Sequence, residues 1–191
     1  MSLLARAQKG NLLQQLMIEG RVFIAGDADQ NDTVTGQTTF AATTPTFCLD
    51  VPALTTAQVW SVGLNQFGTV AGGAITVVME IDNADRYGSG GAAEATIVKG
   101  RTDAVGPTQA CTLYSGATAN AGVGAPVMRA LVGPDVSTAE GAVNEVLYVP
   151  TGGAAPLLVG PAAFLVFTYA ATTGPTWLWH FMWSEILTSD I

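Results

Sequence analysis

Between Thr176 and Ile186 an aromatic side chain recurs at every second position: Trp177, Trp179, Phe181 and Trp183. A period of two is that of a β-strand, whose successive side chains point to opposite faces. The four rings therefore share one face, with Leu178, His180, Met182 and Ser184 on the other. Rings of this size supply most of a core layer, so the segment is expected to carry the core. Its second face is also fairly apolar, which predicts a central strand or one covered by a neighbouring subunit.

The same alternation recurs upstream. Ile75, Val77, Met79 and Ile81 oppose Thr76, Val78, Glu80 and Asp82, and Phe47, Leu49 and Val51 oppose Cys48 and Asp50. Strands are predicted at Val22–Ala25, Thr46–Val51, Val59–Gln66, Ala74–Asp82, Ala95–Lys99, Ala110–Ser115, Pro126–Val132, Asn144–Val149, Ala162–Tyr169 and Thr176–Ile186. Turn signals such as Asp82-Asn83-Ala84-Asp85, Ser89-Gly90-Gly91, Gly133-Pro134-Asp135 and Gly174-Pro175 separate them. No segment after residue 20 carries a helical period. An all-β chain of many short, punctuated strands reads as a sandwich or barrel.

Residues 1–20 are set apart as an N-terminal arm, and residues 21–191 as one β domain. Leu3, Leu4, Ala7, Leu12, Leu13, Leu16 and Met17 recur near one helical face, interrupted at Gly10-Asn11. A short helix or an extended arm fits. Leu12, Leu13 and Leu16 are expected to dock on a neighbouring subunit, although packing on the arm's own domain is equally cheap.

Apolar residues make up 49% of the chain and charged residues only 12%, about half the charged share of an ordinary soluble domain. Large apolar surfaces usually mark interfaces, so sister copies are expected to cover part of the exterior. A membrane span is not expected: Gly160, Pro161, Gly174 and Pro175 break the apolar stretch from Ala154 to Trp183 below the ~20 residues a crossing helix needs. MSLLARAQKG has no continuous apolar stretch of the signal-peptide kind, which points to synthesis in a cytoplasm. A net charge of −8 argues against a role built on neutralising phosphates.

Catalytic chemistry is not expected. His180 is the lone histidine and alternates with tryptophans, so no nucleophile has an evident base. One His with Cys48 and Cys111 makes no zinc cluster, and both cysteines read as small buried hydrophobes. Phosphate-loop and dinucleotide motifs are absent. Of the carboxylates Asp27, Asp29, Asp32, Glu80, Asp82, Asp85 and Glu94, all but Glu80 sit in turn-like sequence, and no spacing selects a pair. No cofactor is expected; calcium is the one ion worth naming, through Asp27, Asp29 and Asn31 with Asp32 at alternate positions. The sharp-turn glycine is missing there, and Thr38 stands where a bidentate Glu belongs, so a plain solvated loop is the expectation.

The stretches TVAGGAITVVMEIDNADRYGSGG (69–91), VGPDVSTAEGAVNEVLYVP (132–150) and LVGPAAFLVFTYAATTGPTWLWHFMWSEI (158–186) resemble structural proteins of environmental tailed bacteriophages. The look is that of single jelly-roll virion proteins: decoration or minor capsid proteins and the heads of spikes. The resemblance is one of general pattern over residues 21–191 and transfers no site residue. It implies a jelly-roll-like antiparallel sandwich, commonly trimeric, that sits in a virion with other virion proteins. Two alternatives accompany it. One is a receptor- or glycan-binding head using loops Tyr87–Ala92 and Ala117–Gly124, with Tyr87 near Asp85. The other is a subunit of an extracellular filament.

Overall fold

A computed structural model describes residues 11–27, 32–68, 74–103, 105–132, 144–150 and 155–191. The first element is a helix, α1 (Leu12–Ile18). Asn11 caps it, its side chain accepting from the Gln14 N–H. Gly20, at φ +68°, ends it: the Gly20 N–H reaches the Met17 carbonyl and the Arg21 N–H the Leu16 carbonyl, the paired bonds of a Schellman stop.

Strands follow: β1 (Val22–Gly26), β2 (Val34–Thr35), β3 (Phe47–Val51), β4 (Thr55–Gln66), β5 (Ile75–Asp82), β6 (Tyr87–Ser89), β7 (Ala92–Ala93) and β8 (Ile97–Lys99). Then come β9 (Thr112–Ser115), β10 (Thr118–Ala119), β11 (Ala125–Val132), β12 (Glu145–Tyr148), β13 (Leu158–Val159), β14 (Ala162–Tyr169) and β15 (Thr176–Leu187). One sheet runs β12-β4-β15-β1-β8, with β13 added to β4 and β2 to β15; the other runs β11-β5-β14-β3-β9-β7. Every strand pairing described between these elements is antiparallel.

Stripped to its eight principal strands, the first sheet is β1-β15-β4-β12 and the second β3-β14-β5-β11. The chain crosses from sheet to sheet at every step except β5 to β11. That is the double Greek key of a jelly roll. Residues 83–124, inserted at that one step, carry β6 to β10 and widen both sheets: β8 joins β1, and β9 joins β3.

The expected faces hold. Trp177, Trp179, Phe181 and Trp183 all lie in the core between the sheets with Phe47, Leu49, Val51, Ile75, Val77 and Met79. In β4 the inward phase changes, from Ala57 and Val59 to Val62 and Leu64. The cause is a bulge: Trp183 pairs with Val59 and Met182 with Ser61, which leaves Trp60 unpaired and turned outward. There its indole N–H donates to the Ser184 hydroxyl at 2.9 Å. Trp60 joins Val22, Ala155, Ile186 and Leu16 in a second apolar cluster, on the outside of the sheet and beneath α1.

A third cluster backs the other sheet, where Cys48, Val78, Leu165 and Phe167 meet Tyr87, Tyr114 and Tyr169. The insertion is stapled there by Arg86, which is almost wholly buried. Its guanidinium donates to the Asp82 carboxylate at 2.7 Å and to the Ala42 and Asn120 carbonyls at 2.8 Å each. A buried cation needs such a full set of acceptors.

Candidate functional site: an apolar edge of the sandwich

On one side of the sandwich the two sheets end, among the described residues, in β11 and β12. In β12, Val146 and Tyr148 turn into the core and Glu145 and Leu147 turn out. Large apolar side chains collect along this edge: Val123 is 94% exposed, Leu131 74%, Val149 59% and Leu147 52%, with Val159 and Leu157 also open. Two hollows lie between them. One, of about 390 Å³, is lined by Val123, Ala125, Leu157, Val159 and Ile81; the other, of about 430 Å³, by Val127, Met128, Leu147, Val149 and Pro156. A third hollow of about 420 Å³ shares Val149 and Pro150 and continues to Leu12, Leu13, Trp60 and Met182. The result is a strip from the insertion to the helix. Contiguous exposed apolar surface of this kind marks an interaction site more often than scattered residues do.

Asp82, which Arg86 holds, and Asn83 also line the first hollow. Arg129 and Glu145 are the only charged residues in β11 and β12, both exposed. The Arg129 charge acts on Glu80 of the neighbouring β5 and opposes the rise that burial gives that carboxyl.

Of the arm residues, Leu16 is wholly buried against its own domain, while Leu12 and Leu13 are half-buried at the strip's end. Residues 1–10 lie outside the described residues, as do Asp29 and Asn31 of the oxygen-rich loop. Among the described residues no group of three or more His, Cys, Asp or Glu is placed to hold a metal. No described helix is long and apolar enough to cross a membrane.

The carboxylates singled out in sequence are dispersed. Asp82 is taken by Arg86, and Asp85 accepts from the Tyr87 N–H at 3.0 Å. Asp32 and Glu94 do meet, lining a polar cleft of about 410 Å³ with Ser115 and Trp179. Burial there holds the Glu94 carboxyl above its ordinary value; the bond to Ser115 opposes this and the Asp32 charge adds to it. His180 is exposed on the outer face of its sheet, its imidazole lying over Gly63, where a Cβ would meet its Cε1 at 2.0 Å. Cys48 and Cys111 are both free thiols. Near Asp85, the rings of Tyr87 and Tyr114 stack 3.9 Å apart at 10°, partly exposed.

Sequence reasoning missed the apolar edge. Its members come from four separate segments, each contributing one or two side chains beside a turn, and no periodic signal joins them.

No family model matches this chain, and no curated protein matches it. Among solved structures it is similar to a chain in the structure of the infectious bursal disease virus Gx strain, with 13% identity and a TM-score of 0.22. The alignment covers 86% of this chain and 41% of that one, so the chain spans about two fifths of that neighbour's length. So loose a superposition carries no argument, and the fold rests on the strand order alone.

Proposed function

We propose that the chain is a structural subunit of a virus particle, assembled with copies of itself and other virion proteins as a capsid-associated or decorating jelly roll. Its work is mechanical rather than catalytic. The observation that carries this reading is the strip of open Val and Leu side chains along the β11–β12 edge. Exposed to water these side chains gain nothing; covered by a neighbour they contribute ~25 cal/mol per Å² of apolar area, before the cost of association. A jelly roll hosts many activities and does not select one, so the surface decides. Sedimentation velocity at micromolar concentration tests the reading. A trimer or larger species is expected, and a monodisperse monomer overturns it.

One observation favours a second reading. The stacked, partly exposed Tyr87–Tyr114 pair beside Asp85 has the flat apolar ring and nearby acceptor that a sugar face uses. A glycan array run with the wild type and Tyr87→Ala separates the two. Wild-type binding that the variant loses makes the chain a receptor-binding head; silence from both leaves the shell role.

A further inference from the structure

The hollow of about 420 Å³ beside α1 is walled by Leu12, Leu13, Trp60, Val149, Pro150 and Met182. We infer that residues 1–10 of the same chain fold back over this hollow and seat Leu3 and Leu4 in it. This stands apart from the assembly reading, which rests on the β11–β12 edge.

Position selects the occupant. Asn11 is both the N-cap of α1 and part of the hollow's wall. Residues 1–10, which lie outside the described residues, therefore join the domain at the hollow's rim. Asn11 is extended, at φ −65° and ψ 114°, and Gly10 before it readily takes up a turn, so the chain is free to leave the helix axis there. Leu4 stands seven residues before Asn11, a reach of up to ~25 Å, well beyond the width of a 420 Å³ hollow. A segment tethered so closely has an effective concentration on the order of millimolar, which a free partner at micromolar levels does not match.

Chemistry agrees. Leu3, Leu4 and Ala7 supply the aliphatic surface that a wall of Leu, Trp, Val and Met side chains receives. The segment carries two of the seven basic residues, Arg6 and Lys9, and none of the 15 acidic ones, so the rest of the chain attracts it. Two other stretches outside the described residues fit less well. Thr151-Gly152-Gly153-Ala154 follows Pro150 but brings no large apolar side chain. Residues 133–143 enter β12 from its Glu145 end, away from Val149.

A spin label tests this on the full chain. A nitroxide is attached at Ser2→Cys, both native thiols being buried, and the Met182 methyl signal is read with the label oxidised and reduced. The oxidised label is expected to weaken that signal several-fold. The loss is expected to persist when the labelled chain is assembled with a large excess of unlabelled chain, and to vanish when Leu3→Asp and Leu4→Asp are added. Circular dichroism confirms that each variant is folded. A Met182 signal that the label leaves untouched overturns the proposal, and so does a loss that survives both aspartates. A loss that disappears on dilution overturns it too, and gives the hollow to a sister copy's residues 1–10.

Discussion

At Glu185 a carboxylate sits inside the sandwich, accepting from the backbone N–H groups of Ala110 (2.6 Å) and Cys111 (3.2 Å) and from the Trp183 indole (2.8 Å). Burial nevertheless holds its pKa above the ordinary value, outweighing those donors. A carboxyl raised by folding binds its proton more tightly folded than unfolded. Its contribution is therefore full below the unfolded value and is lost as pH rises through the folded one. Urea unfolding of wild type and Glu185→Gln at several pH values between about 4 and 7 should show the wild type losing ground to the variant as pH rises; parallel curves would contradict this. The thiols behave likewise. Burial, followed by the Asp50 charge, pushes Cys48 up to about 12, and burial, followed by the Glu185 charge, also raises Cys111. A thiolate is the reactive form, so a thiol reagent should label neither cysteine in the native chain and both in denaturant. Gly20 is equally constrained. At φ +68° a Cβ would meet the Val105 carbonyl oxygen at 1.8 Å, so Gly20→Ala combines left-handed strain of ~1–2 kcal/mol with a backbone clash and should lower Tm markedly.

Among the elements, α1 is too short to be stable in isolation and is held by what it covers. Leu16→Ala empties a fully enclosed site between Val22, Trp60 and Ile186, and should cost about 2–5 kcal/mol in chemical denaturation. Arg86→Ala strands the Asp82 carboxylate and two carbonyls, for about 3–5 kcal/mol; a loss under 1 kcal/mol would mean water replaces the guanidinium. The long strands were legible because alternation is a local signal: the Trp177–Trp183 face and the Ile75–Ile81 face needed no knowledge of their partners. The strand order was not legible, since nothing within β1 says that its neighbours are β15 and β8. Bulges hid as well. β4 begins at Thr55 rather than Val59, and Trp60 breaks the phase that a strict period would carry through. The two-residue strands β2, β7, β10 and β13 are too brief for any period. Asp32 and Glu94, far apart in the chain, share a cleft only because the insertion folds back over the end of β1.

For the molecule as a whole, neighbours in each sheet come from opposite parts of the chain: Val22 lies beside Ser184, and Phe47 beside Val166. Such distant pairings make for slow folding. β15 occupies the middle of its sheet, between β4 and β1, yet it follows all the other strands in sequence. A ribosome would therefore release every earlier strand before the one that joins the two halves of that sheet emerges. Until then β1 and β4, with Phe23 and Val62 on their inner faces, have no strand between them, so the first sheet closes only once Thr176–Leu187 has been made.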